Sequence, residues 1–149
     1  MAIDEEQHEI SNAINALANI LRYGIEGNHN PVPISKEIDW IKKYIFLQQA
    51  RMKRKIVCTI KVEPQLKGCY IHKLLLQPFI ENSIIYGFKK EQESLELNVT
   101  IKENKKKLQI IISNNGKGIK EVILKELYNA GVGNHIGIRN AIGRIRMYY

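Results

Sequence analysis

Between residues 5 and 24, Ile10, Ala13, Ile14, Leu17 and Leu21 recur at three- and four-residue spacing among polar or small residues, which predicts an amphipathic helix. Gly24, Gly27 and the run Asn28 to Pro31 end it, and Pro31–Pro33 reads as a short linker, the one candidate internal boundary. Ser35 is expected to N-cap a second helix with Glu37 and Asp39 in its first turn and Ile38, Ile41, Ile45 and Met52 on one face, running to about Arg54. Alternation then takes over. Ile56, Cys58, Ile60 and Val62 against Val57, Thr59 and Lys61 predict a strand, closed by Pro64 to Gly68. A third helix is expected over about 73–87, with Pro78 tolerable only in its first turns. Leu95, Leu97, Val99 and Ile101, then Leu108, Ile110 and Ile112, predict two strands joined by a turn at Glu103 to Lys106. A short helix (about 119–128), a Gly-containing loop (129–136) and a last helix from about Gly137 complete the chain. This order predicts a two-layer α/β sandwich, a mixed sheet covered by helices on one face, with an N-terminal helix.

Composition narrows the class. A length of 149 residues fits one domain with a short appendage, and 44% apolar with 26% charged residues excludes a collagen-like or disordered chain. No run reaches the ~18 apolar residues of a spanning helix. The opening MAIDEEQHEI is acidic and polar, unlike a signal peptide. Cys58 and Cys69 form neither a metal-ligand nor a redox spacing, and both fit a reducing cytosol. The net charge of +8 invites an anionic partner, but the cations lie in short scattered runs that read as solvated surface. Lys105 to Lys107 fall in a hairpin turn, where lysines are expected to cost nothing. Aromatics are 7%, with no stacking platform or base-reading helix, so no nucleic-acid partner is expected.

Three elements carry nucleotide-handling chemistry. On a wheel of residues 75–86, Leu75, Leu76, Phe79, Ile80, Ser83 and Ile84 form the core face, while Pro78, Glu81, Asn82, Ile85 and Tyr86 lie opposite. Glu81-Asn82 with Tyr86 one turn on makes a ligand surface, and the Asn82 amide oxygen suits a hydrated Mg²⁺ that takes few protein ligands. Asn114-Asn115-Gly116-Lys117-Gly118 places a polar side chain at a strand end, with glycines that admit a planar ligand close to the backbone. Gly131 to Gly137, including Gly133 and His135, precedes a helix whose free N–H groups favour phosphate, and it reads as a mobile lid. Neither the Walker pattern nor the Rossmann fingerprint is present.

In this order the three elements resemble the GHKL, or Bergerat-fold, ATP-binding proteins, and more closely the LytS/YesM-type sensor histidine kinases of bacterial two-component systems. Ile20-Leu21-Arg22-Tyr23 resembles the LLRYS segment closing that family's dimerisation helices, and Glu37 to Ile45 with Gln48 to Arg51 resembles its ELxxIxxYLxIQxxRF helix. Leu75 to Ile84 resembles the N box, LLQPLVENAI; Asn114 to Gly118 the G1 box; and Gly137 to Asn140 with Arg144 the G2 box and its helix. The resemblance implies an ATP-binding catalytic region that transfers the γ-phosphoryl to a His outside this chain and thence to a response regulator. It implies Mg²⁺ on Asn82, an acidic partner in Glu81, adenine over Gly116 and Gly118, and phosphates near Gly137. Glu81 would orient or deprotonate the acceptor imidazole, and His135 would reach phosphate from the lid.

The resemblance further implies that residues 1–30 end the dimerisation and phosphotransfer helices, and that residues 31–149 form the catalytic domain, cut before its last strands. The region would be cytoplasmic, and the parent a homodimer anchored at the membrane. Asn114 stands where the G1 Asp is expected, Tyr86 where relatives carry His, Ile85 where many carry a basic residue, and His135 at the first G2 glycine. No His-Phe-Leu-Phe-Asn-like acceptor string is present; His8 reads as a polar helix-start residue, and His29 and His72 as surface. The rival readings are a non-catalytic module of the same fold, acting by pairing with a partner kinase, and a basic nucleic-acid-binding domain.

Overall fold

Strand β4 (Ser94–Asn104) is the centre of the architecture, because every second side chain on it is sealed from water. Leu95, Leu97, Val99 and Ile101 are all fully buried. In the computed structural model, which describes residues 2–25, 30–128 and 136–149, β4 pairs in parallel with β2 (Lys55–Val62) and antiparallel with β5 (Lys107–Asn114). This is the expected mixed sheet, in the order β2-β4-β5. Its outer face carries Thr59, Lys61, Glu96 and Ser113, and its inner face is covered by α2 (Ile34–Met52) and α3 (Gln77–Gly87). The two layers share one core built from Ile34, Ile41, Ile80 and Ile84 against the β4 leucines. Helices α4 (Glu121–Tyr128) and α5 (Ile136–Tyr148) follow the sheet, and α5 packs on α3.

Helix α2 begins one residue before the expected cap. Pro33 occupies the N-cap position without a side-chain hydrogen bond. The orphan amides go instead to a neighbouring loop: Ile34 N–H donates to the Cys69 carbonyl (2.9 Å) and Ser35 N–H to that of Lys67 (3.3 Å). Helix α3 starts at Gln77, so Pro78 does lie in the first turn, where its missing N–H costs nothing.

Two features depart from the sequence-based reading. Pro31–Pro33 is a strand, β1, paired antiparallel with Tyr70–His72, β3, which ties the expected linker into the domain. A three-residue strand with proline at both ends carries no alternation to detect. The β4–β5 turn places Lys105 (φ 51°) and Lys106 (φ 61°) in the left-handed region, the type I′ geometry that suits a two-residue hairpin. The lysines are therefore not free of cost there, since a Cβ in that region is penalised by about 1 kcal/mol or more.

Helix α1 (Ala2–Ile25) lies against α2 through Ala16, Ile20 and Tyr23. The opposite stripe, Ile10, Ile14, Leu17 and Leu21, does not fold back on the sheet: each of the four is at least half exposed.

Candidate functional site

The cleft beside α3 follows from a packing constraint at its floor. A Cβ on Gly116 would stand 2.0 Å from the Gly87 carbonyl oxygen and 3.0 Å from Leu95 Cδ1, so only glycine lets the loop after β5 lie against the end of α3. The contact is fixed by Lys117 N–H donating to Gly87 O at 2.6 Å. Asn114 Oδ1 accepts the Gly116 N–H at 3.0 Å, closing an Asx turn at the strand end. Asn115 points the other way. Its Oδ1 accepts from Glu96 N–H and Gln92 Nε2, both at 2.9 Å, and so pins the loop to the start of β4.

With the loop held there, α3, the end of β5 and α5 enclose a cleft of about 450 Å³. Asn82 and Tyr86 of α3 line it, as do Asn114 and Gly118 of the loop, so residues from two of the three sequence elements meet in one place. Ile138 of α5, just past the third element, forms part of the wall with Ile112 and Ile119. Asn82 makes no side-chain hydrogen bond among the described residues and is half-buried, so its amide oxygen is available to a ligand. Among the described residues a Cβ on Gly118 would meet nothing within 4 Å, which leaves open space over that residue. Gly137, on the first turn of α5, is exposed, and among the described residues a Cβ there would touch only Pro78, at 3.8 Å.

Not every expected residue arrives. Glu81 lies outside the cleft lining and accepts a hydrogen bond from Gln77 Nε2 at 2.6 Å. It sits close enough to α2 that its charge, after burial itself, helps push the Tyr44 phenol up to about 12. The geometry therefore separates Glu81 from Asn82 by a quarter-turn of helix. Gly116 is on the cleft floor for packing and does not line the opening. Gly133 and His135 lie outside the described residues. Sequence reasoning passed over Lys117 and Lys120, which bring positive charge to the cleft wall; the Gly-Lys-Gly run was the available signal.

A second polar centre, behind α3, was missed altogether. Glu37 is fully buried in α2. Its Oε1 accepts the Tyr23 hydroxyl of α1 at 2.6 Å and the Leu74 N–H at 2.7 Å. Leu74 has φ 57°, and its carbonyl accepts from Arg144 Nη2 of α5 at 3.1 Å. Burial raises the Glu37 carboxyl above its ordinary range, against the opposing pull of Tyr23, the Leu74 and Leu76 amides and the Arg144 charge. Oε2 is buried with no hydrogen-bond partner among the described residues. Tyr23 is raised in turn, by burial first and then by Glu37. Glu37 thus ties α1, α2 and the turn entering α3 at one carboxylate. His72 is in β3 and half-buried: its ring stacks on Tyr148 at 3.7 Å, and Nδ1 lies 2.9 Å from the Tyr149 hydroxyl.

Among the described residues no group of three or more His, Cys, Asp or Glu side chains could hold a metal ion. A metal held through a single amide oxygen, with waters and ligand phosphates completing its shell, suits the half-buried Asn82 at the cleft wall. No helix among the described residues is long and apolar enough to cross a membrane.

The chain is similar in sequence to known histidine kinases. The histidine kinase family model matches residues 1–56, which takes in α1 and α2. The chain is 29% identical over 133 residues to the sensor histidine kinase YesM of Bacillus subtilis, covering 89% of this chain and 23% of that protein. It is 30% identical over 135 residues to the sensor histidine kinase YpdA of Escherichia coli, covering 89% of this chain and 24% of that one. Similarity to the sensor protein kinase HptS of Staphylococcus aureus is 28% over 106 residues, 71% of this chain. The chain spans about a quarter of the length of the first of these relatives.

Proposed function

We propose that the chain belongs to the sensor histidine kinases of the LytS/YesM type and that its cleft binds ATP with Mg²⁺ for phosphoryl transfer to a histidine on a separate helix. The observation that carries this reading is the meeting of Asn82, Tyr86, Asn114 and Gly118 around one cleft. The open space over Gly118 and the apolar wall of Ile112, Ile119 and Ile138 suit a flat base. Asn82, one helical turn from Tyr86, then faces the polyphosphate, with Lys117 and Lys120 supplying positive charge. Bound Mg²⁺ would neutralise charge on the phosphates, as in phosphoryl transfer generally. What this chain contributes is position: the Asn82 amide oxygen would hold the metal, and Gly137 lies in the first turn of α5, whose free amides would face the phosphates. Glu81 acts from the α2 side of the helix, where an acceptor imidazole would have to approach.

On the same reading, residues 1–30 end a dimerisation region and residues 31–149 are the catalytic domain. The Ile10, Ile14, Leu17 and Leu21 stripe has alternating four- and three-residue spacing, which is a coiled-coil seam, and it pairs with a second copy of the parent chain. The region works in the cytoplasm, its parent is anchored at the membrane, and the phosphoryl group passes to a response regulator.

Calorimetric titration with Mg²⁺–ATP tests the site. Binding in the micromolar-to-millimolar range is expected, and Asn82→Ala should abolish its Mg²⁺ dependence while leaving the unfolding midpoint unchanged, because the Asn82 side chain makes no hydrogen bond among the described residues. No binding at millimolar ATP would remove the nucleotide reading.

One observation favours a second reading, a non-catalytic module with weakened ATP binding. Asn114 stands at the G1 position, and its Oδ1 already accepts the Gly116 N–H. A carboxylate could keep that bond with one oxygen and offer the other, charged, to an adenine amino group. Charge-assisted hydrogen bonds are roughly twice as strong as neutral ones, so Asn114→Asp is expected to tighten ATP binding by about 1–2 kcal/mol, roughly five- to thirtyfold. It should also sharpen preference for ATP over GTP, since Asn can turn its NH₂ toward a guanine carbonyl and ionised Asp cannot. Unchanged affinities for both nucleotides would make Asn114 a turn residue only.

A further inference from the structure

The far edge of the sheet carries a second opening, remote from the nucleotide cleft. Among the described residues β2 pairs only with β4, so its other edge is free over eight residues. Glu63 N–H donates to Ile101 O, and with the parallel register Val62↔Ile101 this turns the odd-numbered residues of β2 toward β4. The even-numbered residues direct their N–H and C=O groups outward. Ile56 N–H is capped by Gln49 Oε1 at 2.8 Å, while those of Cys58, Ile60 and Val62 have no partner among the described residues. Beside them, between β2 and α2, runs an open groove of about 670 Å³. Its floor is Ile56, Ile60 and Val62, its far wall is Phe46 and Ile45 of α2, and Lys42, Lys61 and Lys67 stand around it. No acidic side chain lines it.

We propose that this edge and groove form a docking site for an extended acidic peptide, which adds to β2 as a strand and places alternate apolar side chains in the groove. Three observations define the occupant. Unpaired backbone groups along three alternate residues call for another extended backbone. An apolar floor beneath them takes every second side chain of such a strand. Three lysines with no acidic side chain beside them in the groove among the described residues select carboxylates and repel a second copy of this chain, whose net charge is +8. Lysines on an edge strand commonly prevent self-pairing, and here that repulsion coexists with a groove deep enough to hold a partner's side chains.

The test uses the whole chain and a labelled peptide, acetyl-Glu-Val-Glu-Ile-Glu-Val-Glu-amide. Saturable binding that weakens with salt is expected, together with slowed hydrogen exchange at the Cys58, Ile60 and Val62 amides. Two further peptides, N-methylated at the Glu positions or at the apolar positions, block one strand edge each without altering the protein; one of the two should lose binding. Lys42→Glu with Lys67→Glu should weaken the parent peptide about tenfold. The proposal is overturned if no saturable binding is seen at millimolar peptide, if both N-methylated peptides bind like the parent, or if the charge reversals change nothing. It is also overturned if the protected amides lie elsewhere, or if dodecanoate displaces the peptide at lower concentration, which would make the groove an acyl-anion site.

Discussion

Glu37→Ala is expected to remove about 3–5 kcal/mol of folding stability, much of what a domain of this size possesses. The substitution leaves two half-buried donors, the Tyr23 hydroxyl and the Leu74 N–H, without their shared buried acceptor. Each orphaned donor costs about 1–3 kcal/mol, and the vacated side-chain volume adds to that. Leu74 is the sensitive point. A leucine at φ 57° is strained, and it is held there by Glu37 on its N–H and Arg144 on its carbonyl. Losing the first restraint lets the turn relax, and that turn leads into α3 and so to Asn82. Urea unfolding gives the stability change; a loss below about 1 kcal/mol would mean that water replaces the carboxylate without penalty.

The same residue sets a pH dependence. Burial raises the folded carboxyl above the ordinary 4.5. Below that value both folded and unfolded chains are protonated, and the contribution is fully present. As pH rises toward the folded value, the folded chain still holds a proton that the unfolded chain has released, so stability falls through that window and is level above it. Glu37→Gln, which imitates the protonated form and keeps an acceptor for Tyr23 and Leu74, should be milder than Ala and should flatten this slope. The difference between the two denaturation curves, taken from pH 4 upward, isolates the effect; parallel curves would show that Glu37 does not titrate differently on folding.

The legible parts of this fold are those in which local pattern and burial agree. Strand β4 alternates perfectly because one face is sealed, and α3 could be placed to within a few residues because proline belongs in a first turn. Pro31–Pro33 hid its pairing because prolines remove the donors that announce a strand. The lysine hairpin hid its strain because nothing in Lys105-Lys106 signals positive φ; tertiary pairing of β4 with β5 imposes it. Glu37 was read as a first-turn residue favoured by the helix dipole. Its partners lie 14 and 37 residues away, beyond any local window. The available clue was its spacing, three residues after Ile34 and four before Ile41, which sets a carboxylate inside the apolar stripe. Likewise, Asn114 and Asn115 are indistinguishable as letters, yet strand alternation sends one into the cleft and the other onto β4.

Gly116→Ala and Gly118→Ala separate fold from ligand within one five-residue motif. At Gly116 the added methyl would stand 2.0 Å from the Gly87 carbonyl oxygen and 2.6 Å from its carbon. Both are backbone atoms at the end of α3, so relief requires the loop and the helix to part, breaking the Lys117 N–H to Gly87 O bond. Overpacking of this kind costs about 1–3 kcal/mol, and the lost backbone bond to the buried Gly87 adds about 1, so a total of about 2–4 kcal/mol is expected. At Gly118 the same methyl meets no atom of the described residues within 4 Å. The unfolding midpoint should therefore stay within about 0.5 kcal/mol of the parent, as for an exposed site. If a purine ring lies over that residue as proposed, the methyl occupies its contact surface, and nucleotide affinity should fall about tenfold, with the fold intact. Paired thermal unfolding and ATP titration read both quantities on each variant. Equal destabilisation by the two substitutions would contradict the packing at Gly87. A Gly118→Ala variant that binds ATP like the parent would move the base away from this loop.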